Sequence, residues 1–167
     1  MFSVGQTVLY GTNGVCKIDD ITNKKVGKIS MEYYVLKPVC SGTSTLFVPT
    51  ANETLVAKIR PILSEDEINT LLDENRGCDE WIENKLTRTE VFKEIISEGD
   101  TAKLIRLIRA IRLHEQEQIS KGKRLHLSDE RFLKEAEKMI CEEFSLVLSI
   151  EYDEVISLIM NSEHAVA

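Results

Sequence analysis

Apolar and polar positions follow two different rhythms along this chain. Up to about Ile62 they come in short runs rich in β-branched and aromatic residues, broken by turn residues. Thr7 to Tyr10 leads into Gly11-Thr12-Asn13-Gly14, a strong turn signal, and Val15 to Ile21 follows. Asn23-Lys24-Lys25-Val26-Gly27 reads as a second turn; Glu32 to Lys37, Thr45 to Val48 and Ile59 to Ile62 read as further strands. About five strands in so short a stretch predict a small closed or nearly closed barrel, because closure removes exposed edges.

From Ser64 the spacing becomes helical. Ser64-Glu65-Asp66-Glu67 matches a capping box ahead of Ile68, Leu71 and Leu72. A second helix is expected over roughly Asp79 to Ser97, ended by Gly99, and Asp100 can cap a third whose Leu104, Leu107, Ile108 and Ile111 recur at three and four residues. Ser128 can cap a fourth, carrying Phe132, Leu133, Ala136, Ile140 and Phe144, and a fifth begins near Glu151 with Val155, Ile156 and Ile159. The expected fold class is α+β in two domains: a β-barrel over 1–62, then a compact all-α domain of about five helices over 63–167.

Charge refines this division. The formal net charge of −7 opposes free-standing nucleic-acid binding, which depends on Lys and Arg neutralising phosphates. Yet residues 1–62 carry seven Lys/Arg against four Asp/Glu, and residues 101–124 carry seven against two, between two acidic stretches. Lys103, Arg106, Arg109 and Arg112 recur every three residues on the third helix, with Lys121, Lys123 and Arg124 in the loop beyond it. This island can meet phosphates, or its cations can pair with the surplus acids of neighbouring helices.

Candidate chemistry is sparse. There is no GxSxG, HExxH or phosphate-binding glycine loop, and of the three histidines His114 and His126 flank the basic island while His164 sits in the tail, each read as a solvated surface residue. Cys16, Cys40, Cys78 and Cys141 lie far apart with no CxxC, so neither a metal site nor a disulfide framework is expected, and no cofactor. No apolar run approaches the roughly 20 residues of a membrane helix, and the N-terminus lacks signal-peptide features, which suggests a cytoplasmic chain. Trp81, the single tryptophan, lies among acidic and polar neighbours in CDEWIENK. It is either a core residue or a partly exposed aromatic able to stack on or wedge beside a base.

Taken together, these segments resemble the CarD/CdnL family of RNA-polymerase-binding regulators over nearly the whole chain. FSVGQTVLYGTNGVCKI, EYYVL, LFVP and IRPI are similar to the family's Tudor-like polymerase-interaction domain, also found in transcription-repair coupling factors. Trp81, Glu98-Gly99-Asp100, RLIRAIR and LSDERFLKEAEKMICEE resemble its helical domain in order. The resemblance implies a non-enzymatic regulator whose barrel docks on the polymerase β subunit. Its helical domain would stabilise the open promoter complex at the upstream edge of the bubble, with Trp81 as the minor-groove wedge. Lys24, with Lys25 beside it, and Phe47, with Pro49 close by, fall where the family places polymerase contacts. Arg is common there at the positions of Lys24 and Phe47, and Phe47 can equally be barrel core. Relatives often follow the tryptophan with two arginines; here Ile82-Glu83-Asn84-Lys85 follows, so Lys85 and Arg88 stand in as cations beside the wedge. A monomer associated with the nucleoid is expected. The competing readings are a polymerase-binding adaptor that never touches DNA and, less favoured, an enzyme.

Overall fold

The computed structural model describes residues 1–40, 44–77 and 80–161, with the side chain of Thr12 left aside. Cys78 and His164 therefore lie outside the described residues. The chain is α+β and forms two compact units, Met1–Ile62 and Leu63–Ala167.

The first unit is a five-stranded antiparallel sheet, β1 (Thr7–Tyr10), β2 (Val15–Val26), β3 (Ile29–Pro38), β4 (Leu46–Pro49) and β5 (Ile59–Pro61), in the order β4-β3-β2-β1-β5. All five strands contribute to one core of Val8, Cys16, Ile18, Tyr34, Leu36, Val48 and Ile59. The register of β2 shifts between Ile18 and Asp20. Such a bulge lets Ile18 and Ile21, three residues apart, both pack on that core.

Two details differ from the sequence reading. The segment Asn23–Val26 is not a turn but the outer end of β2, paired residue for residue with β3 from Asn23↔Glu32 to Val26↔Ile29. The chain reverses at Gly27-Lys28 instead, where Gly27 takes φ +68°, as the first position of a type II′ hairpin turn demands. Cross-strand pairing thus overrides the turn-like composition of Asn23-Lys24-Lys25. A short helix, α1 (Glu53–Val56), intervenes before β5, started by Asn52, whose side chain accepts from the Leu55 amide.

The second unit packs α2 (Glu65–Glu74), α3 (Lys85–Glu98), α4 (Thr101–Ser120), α5 (Leu127–Leu148) and α6 (Tyr152–Met160) around Ile68, Phe92, Leu104, Ile108, Ile111, Ile140, Phe144 and Val155. The capping box of Ser64 and Glu67 is present, and Asp100 caps α4 by accepting from the Lys103 amide at 3.0 Å. Gly99, at φ +72°, closes α3 in the left-handed conformation that favours glycine. The helix assigned to Asp79–Ser97 begins only at Lys85, because Asn84 is its cap and accepts from the Thr87 amide. Trp81 therefore precedes α3 rather than riding on it. Helix α5 starts at Leu127, one residue before the cap expected at Ser128.

Candidate functional site

On the barrel, strand alternation settles where the candidate contacts point. Leu46 and Val48 pack into the core, so Phe47 between them faces outward and is 43% exposed. It is not barrel core. Register places Lys24, Val26, Ile29, Met31, Tyr33, Phe47 and Pro49 on the same outer face of the sheet. There the Lys24 ammonium lies 3.4 Å from the centre of the Phe47 ring, and Tyr33 meets Phe47 edge-on at 6.4 Å. Val26 and Ile29, at the tip of the hairpin, are more than half exposed. The result is an apolar and aromatic face carrying a fixed cation, a composition suited to a protein partner. Lys25 pairs with Ser30 on the opposite face of the same hairpin and is exposed.

In the helical unit Trp81 is half-buried and held from several directions. The His114 ring of α4 stacks on it at 3.8 Å with the planes 8° apart, Phe92 of α3 meets it edge-on at 6.2 Å, and the Arg88 guanidinium sits 4.6 Å from its ring. Arg88 also pins the segment carrying the tryptophan. Its Nη1 donates to the carbonyls of Ile82 and Glu83 at 3.0 and 3.3 Å, while Nε and Nη2 donate to the two carboxylate oxygens of Asp129 on α5 at 3.0 and 2.9 Å. Both side chains of this pair are almost fully buried. His114 is consequently not a solvated histidine; the stack with Trp81 orders it, and Gln118 contacts its Nε2 at 3.0 Å. His126 is exposed.

The cationic stripe breaks up on inspection. Arg88 and Arg109, both assigned to DNA contact from sequence, are buried: Arg88 as above, and Arg109 with its Nη1 donating to the Ile159 carbonyl at 2.7 Å. A three-residue repeat drifts around a helix of 3.6 residues per turn, which carries Arg109 onto the face where α6 packs. Lys103 is bonded to Glu98 at 2.8 Å, Arg112 to Glu137, and Lys121 to Glu117 at 3.0 Å. The Glu98 hydrogen bond holds the Lys103 ammonium above the ordinary lysine range, and Lys121 holds the Glu117 carboxyl below the ordinary carboxylate range. Lys85, Arg106, Lys123 and Arg124 are exposed and have no ion-pair partner among the described residues. The basic island is therefore narrower than its sequence, with most of its stripe neutralised by the acids of neighbouring turns and helices.

Among the described residues no three His, Cys, Asp or Glu side chains gather as a metal site would require, and no helix is long and apolar enough to cross a membrane. Burial pushes the Cys141 thiol up to about 12, so it is no nucleophile at neutral pH. Iodoacetamide at pH 8 is expected to alkylate the exposed Cys40 and to spare Cys16 and Cys141 until the protein is unfolded, as mass spectrometry of the digested protein will show. Rapid labelling of Cys141 in the native state would contradict its burial.

The signals that sequence reading missed were the Asn84 cap and the partnership of Arg88 with Asp129. The first was legible as an Asn ahead of a helical run; the second joins residues 41 positions apart and left no local trace. Residues 2–63 fit the model of the CarD-like/TRCF RID domain, a family of interaction domains rather than catalytic ones. The match covers all five strands and ends where the helical unit begins. Over its five strands the N-terminal unit is thus similar to a CarD-like/TRCF RID domain.

Proposed function

We propose that this protein is a transcription regulator that grips the RNA polymerase β subunit with its barrel and steadies the open promoter complex with its helical unit. The observation that carries the first half is the outer face of the RID domain, where Lys24, Tyr33 and Phe47 form a preassembled aromatic and cationic patch. Aromatic side chains at a partner surface dominate binding energy, and a neighbouring cation steers encounter. Pro49, at the end of the same strand, and Lys25, near the hairpin tip, extend the contact region. The second half rests on Trp81, half-buried yet fixed in orientation, with Lys85, Arg106, Lys123 and Arg124 as the remaining candidates for phosphate contact. Lys103 and Lys121 would reach DNA only by leaving their glutamates, and Arg88 and Arg109 take no part. The protein works, on this reading, as a cytoplasmic, nucleoid-associated monomer whose weak DNA affinity is raised by tethering to polymerase.

The adaptor reading, binding polymerase without touching DNA, draws support from the neutralised stripe and the partial burial of Trp81. Co-purification with RNA polymerase tests what both readings share. Phe47→Ala is expected to weaken that binding by about 2 kcal/mol, roughly thirtyfold, while leaving the barrel's stability nearly unchanged because the ring is largely outside the core. Lys24→Glu should slow association and invert its salt dependence. Full affinity in both variants, measured by surface plasmon resonance on polymerase, would remove this face from the interface.

A further inference from the structure

A cleft of about 520 Å³ opens in the helical unit on the side of α3 and α4 that leaves Val91 and Ile95 out of the core's fully buried set. Val91 and Ile95, one turn apart on α3, face Leu107 and Ala110, three residues apart on α4, and Ile82 contributes from the segment beside Trp81. Its charged groups are divided by wall. Glu80, Glu94 and Glu98 stand on the side of α3 and the preceding segment, Lys103 and Arg106 on the side of α4. The Lys103–Glu98 bond takes one charge from each wall. Glu80 and Glu94 remain exposed, with no ion pair among the described residues.

We infer that this cleft is a docking site for an amphipathic helix bearing Lys or Arg along one edge. An apolar floor presented at three- and four-residue spacings by two neighbouring helices matches the aliphatic stripe of a third. The small side chain of Ala110 leaves room for close approach. The unpaired Glu80 and Glu94 on one wall select a cationic edge, while Arg106 on the opposite wall sets which way round the helix lies. Ile82 and Glu80 flank Trp81, and Phe92 both lines the cleft and packs on the indole. Occupancy of the cleft is therefore felt at the Trp81 ring. This inference stands apart from the barrel's polymerase contact and does not depend on it.

The test uses the full-length protein and two synthetic helices of about fifteen residues with the same leucine stripe, one edged with lysine and one with glutamate. Emission of Trp81, the sole tryptophan, reports binding. The lysine helix is expected to bind saturably and at least tenfold more tightly than the glutamate helix, shifting Trp81 emission and the methyl resonances of Val91 and Ile95. The double variant Glu80→Lys/Glu94→Lys should lose tenfold or more of this affinity. Glu74→Lys/Glu135→Lys, which changes net charge equally away from the cleft, should retain it. Equal losses in the two double variants would reduce the effect to general attraction by an acidic surface and overturn the inference. So would a failure to saturate, or binding that leaves Trp81 and the two methyls unmoved.

Discussion

Arg88→Ala is expected to destabilise the helical unit by about 3–5 kcal/mol, among the largest losses a single substitution can produce here. The pair it breaks is almost wholly buried, and removing the guanidinium leaves the Asp129 carboxylate without its two donors and the carbonyls of Ile82 and Glu83 without theirs. Asp129→Ala should cost about as much, for it strands the cation instead. The energetic asymmetry of buried ion pairs supplies an internal control. Arg88→Met/Asp129→Leu removes both charges together and should recover much of the loss, because two apolar side chains need no desolvation. Urea denaturation followed by far-ultraviolet circular dichroism measures all four proteins. A loss below about 1 kcal/mol in both single variants would mean that the pair is solvated in practice. Trp81 emission should move to the red in either single variant even below the unfolding transition, since the segment that carries it is no longer pinned.

Trp81→Ala should show two effects of different origin. Folding stability should fall by about 2 kcal/mol, between the near-zero loss of an exposed ring and the 3–5 kcal/mol of a fully buried one, because the stack on His114 and the edge contact with Phe92 are both forfeited. If the helical unit meets the promoter bubble as proposed, the lifetime of the open complex should also shorten by roughly five- to 150-fold, equivalent to about 1–3 kcal/mol for one stacked aromatic. The two are separated by saturating the assay with folded variant protein. A lifetime unchanged after that correction, with polymerase binding intact, would favour the adaptor. Trp81→Phe should retain part of both effects, since an aromatic ring at that position can still stack on His114.

These outcomes bear on why parts of the site were legible in advance and others were not. Local rules sufficed wherever a residue acts on its immediate neighbours. Ser64 with Glu67, and Asp100 ahead of Leu104, declared helix starts that the structure contains, and Leu104, Leu107, Ile108 and Ile111 declared the buried side of α4. Local rules misled where a distant partner decides. Asn23 to Val26 has the composition of a turn, but ten paired positions with β3 outweigh it. The three-residue cationic repeat on α4 looked like one surface. Helical drift and the packing of α6 put Arg109 inside it, and Glu98 and Glu137 claimed two of the others.

Spacings of two, three or four residues, which the backbone enforces locally, were enough to read an α+β chain with strands before helices; the likeness to an RID domain came from the identity of its segments. Tertiary structure alone decided the orientation of the site. Phe47 faces solvent because β4 pairs with β3 in a register that turns Leu46 and Val48 inward. Trp81 is half-buried, neither freely exposed nor fully enclosed in the core, because His114, Phe92 and Arg88, drawn from two helices, converge on it. Arg88 ceased to be a surface cation once Asp129, 41 residues away, offered both carboxylate oxygens. Charge and side-chain identity can be read along the chain, but the partner that neutralises a charge, and the ring that receives a ring, come from elements brought together only by packing.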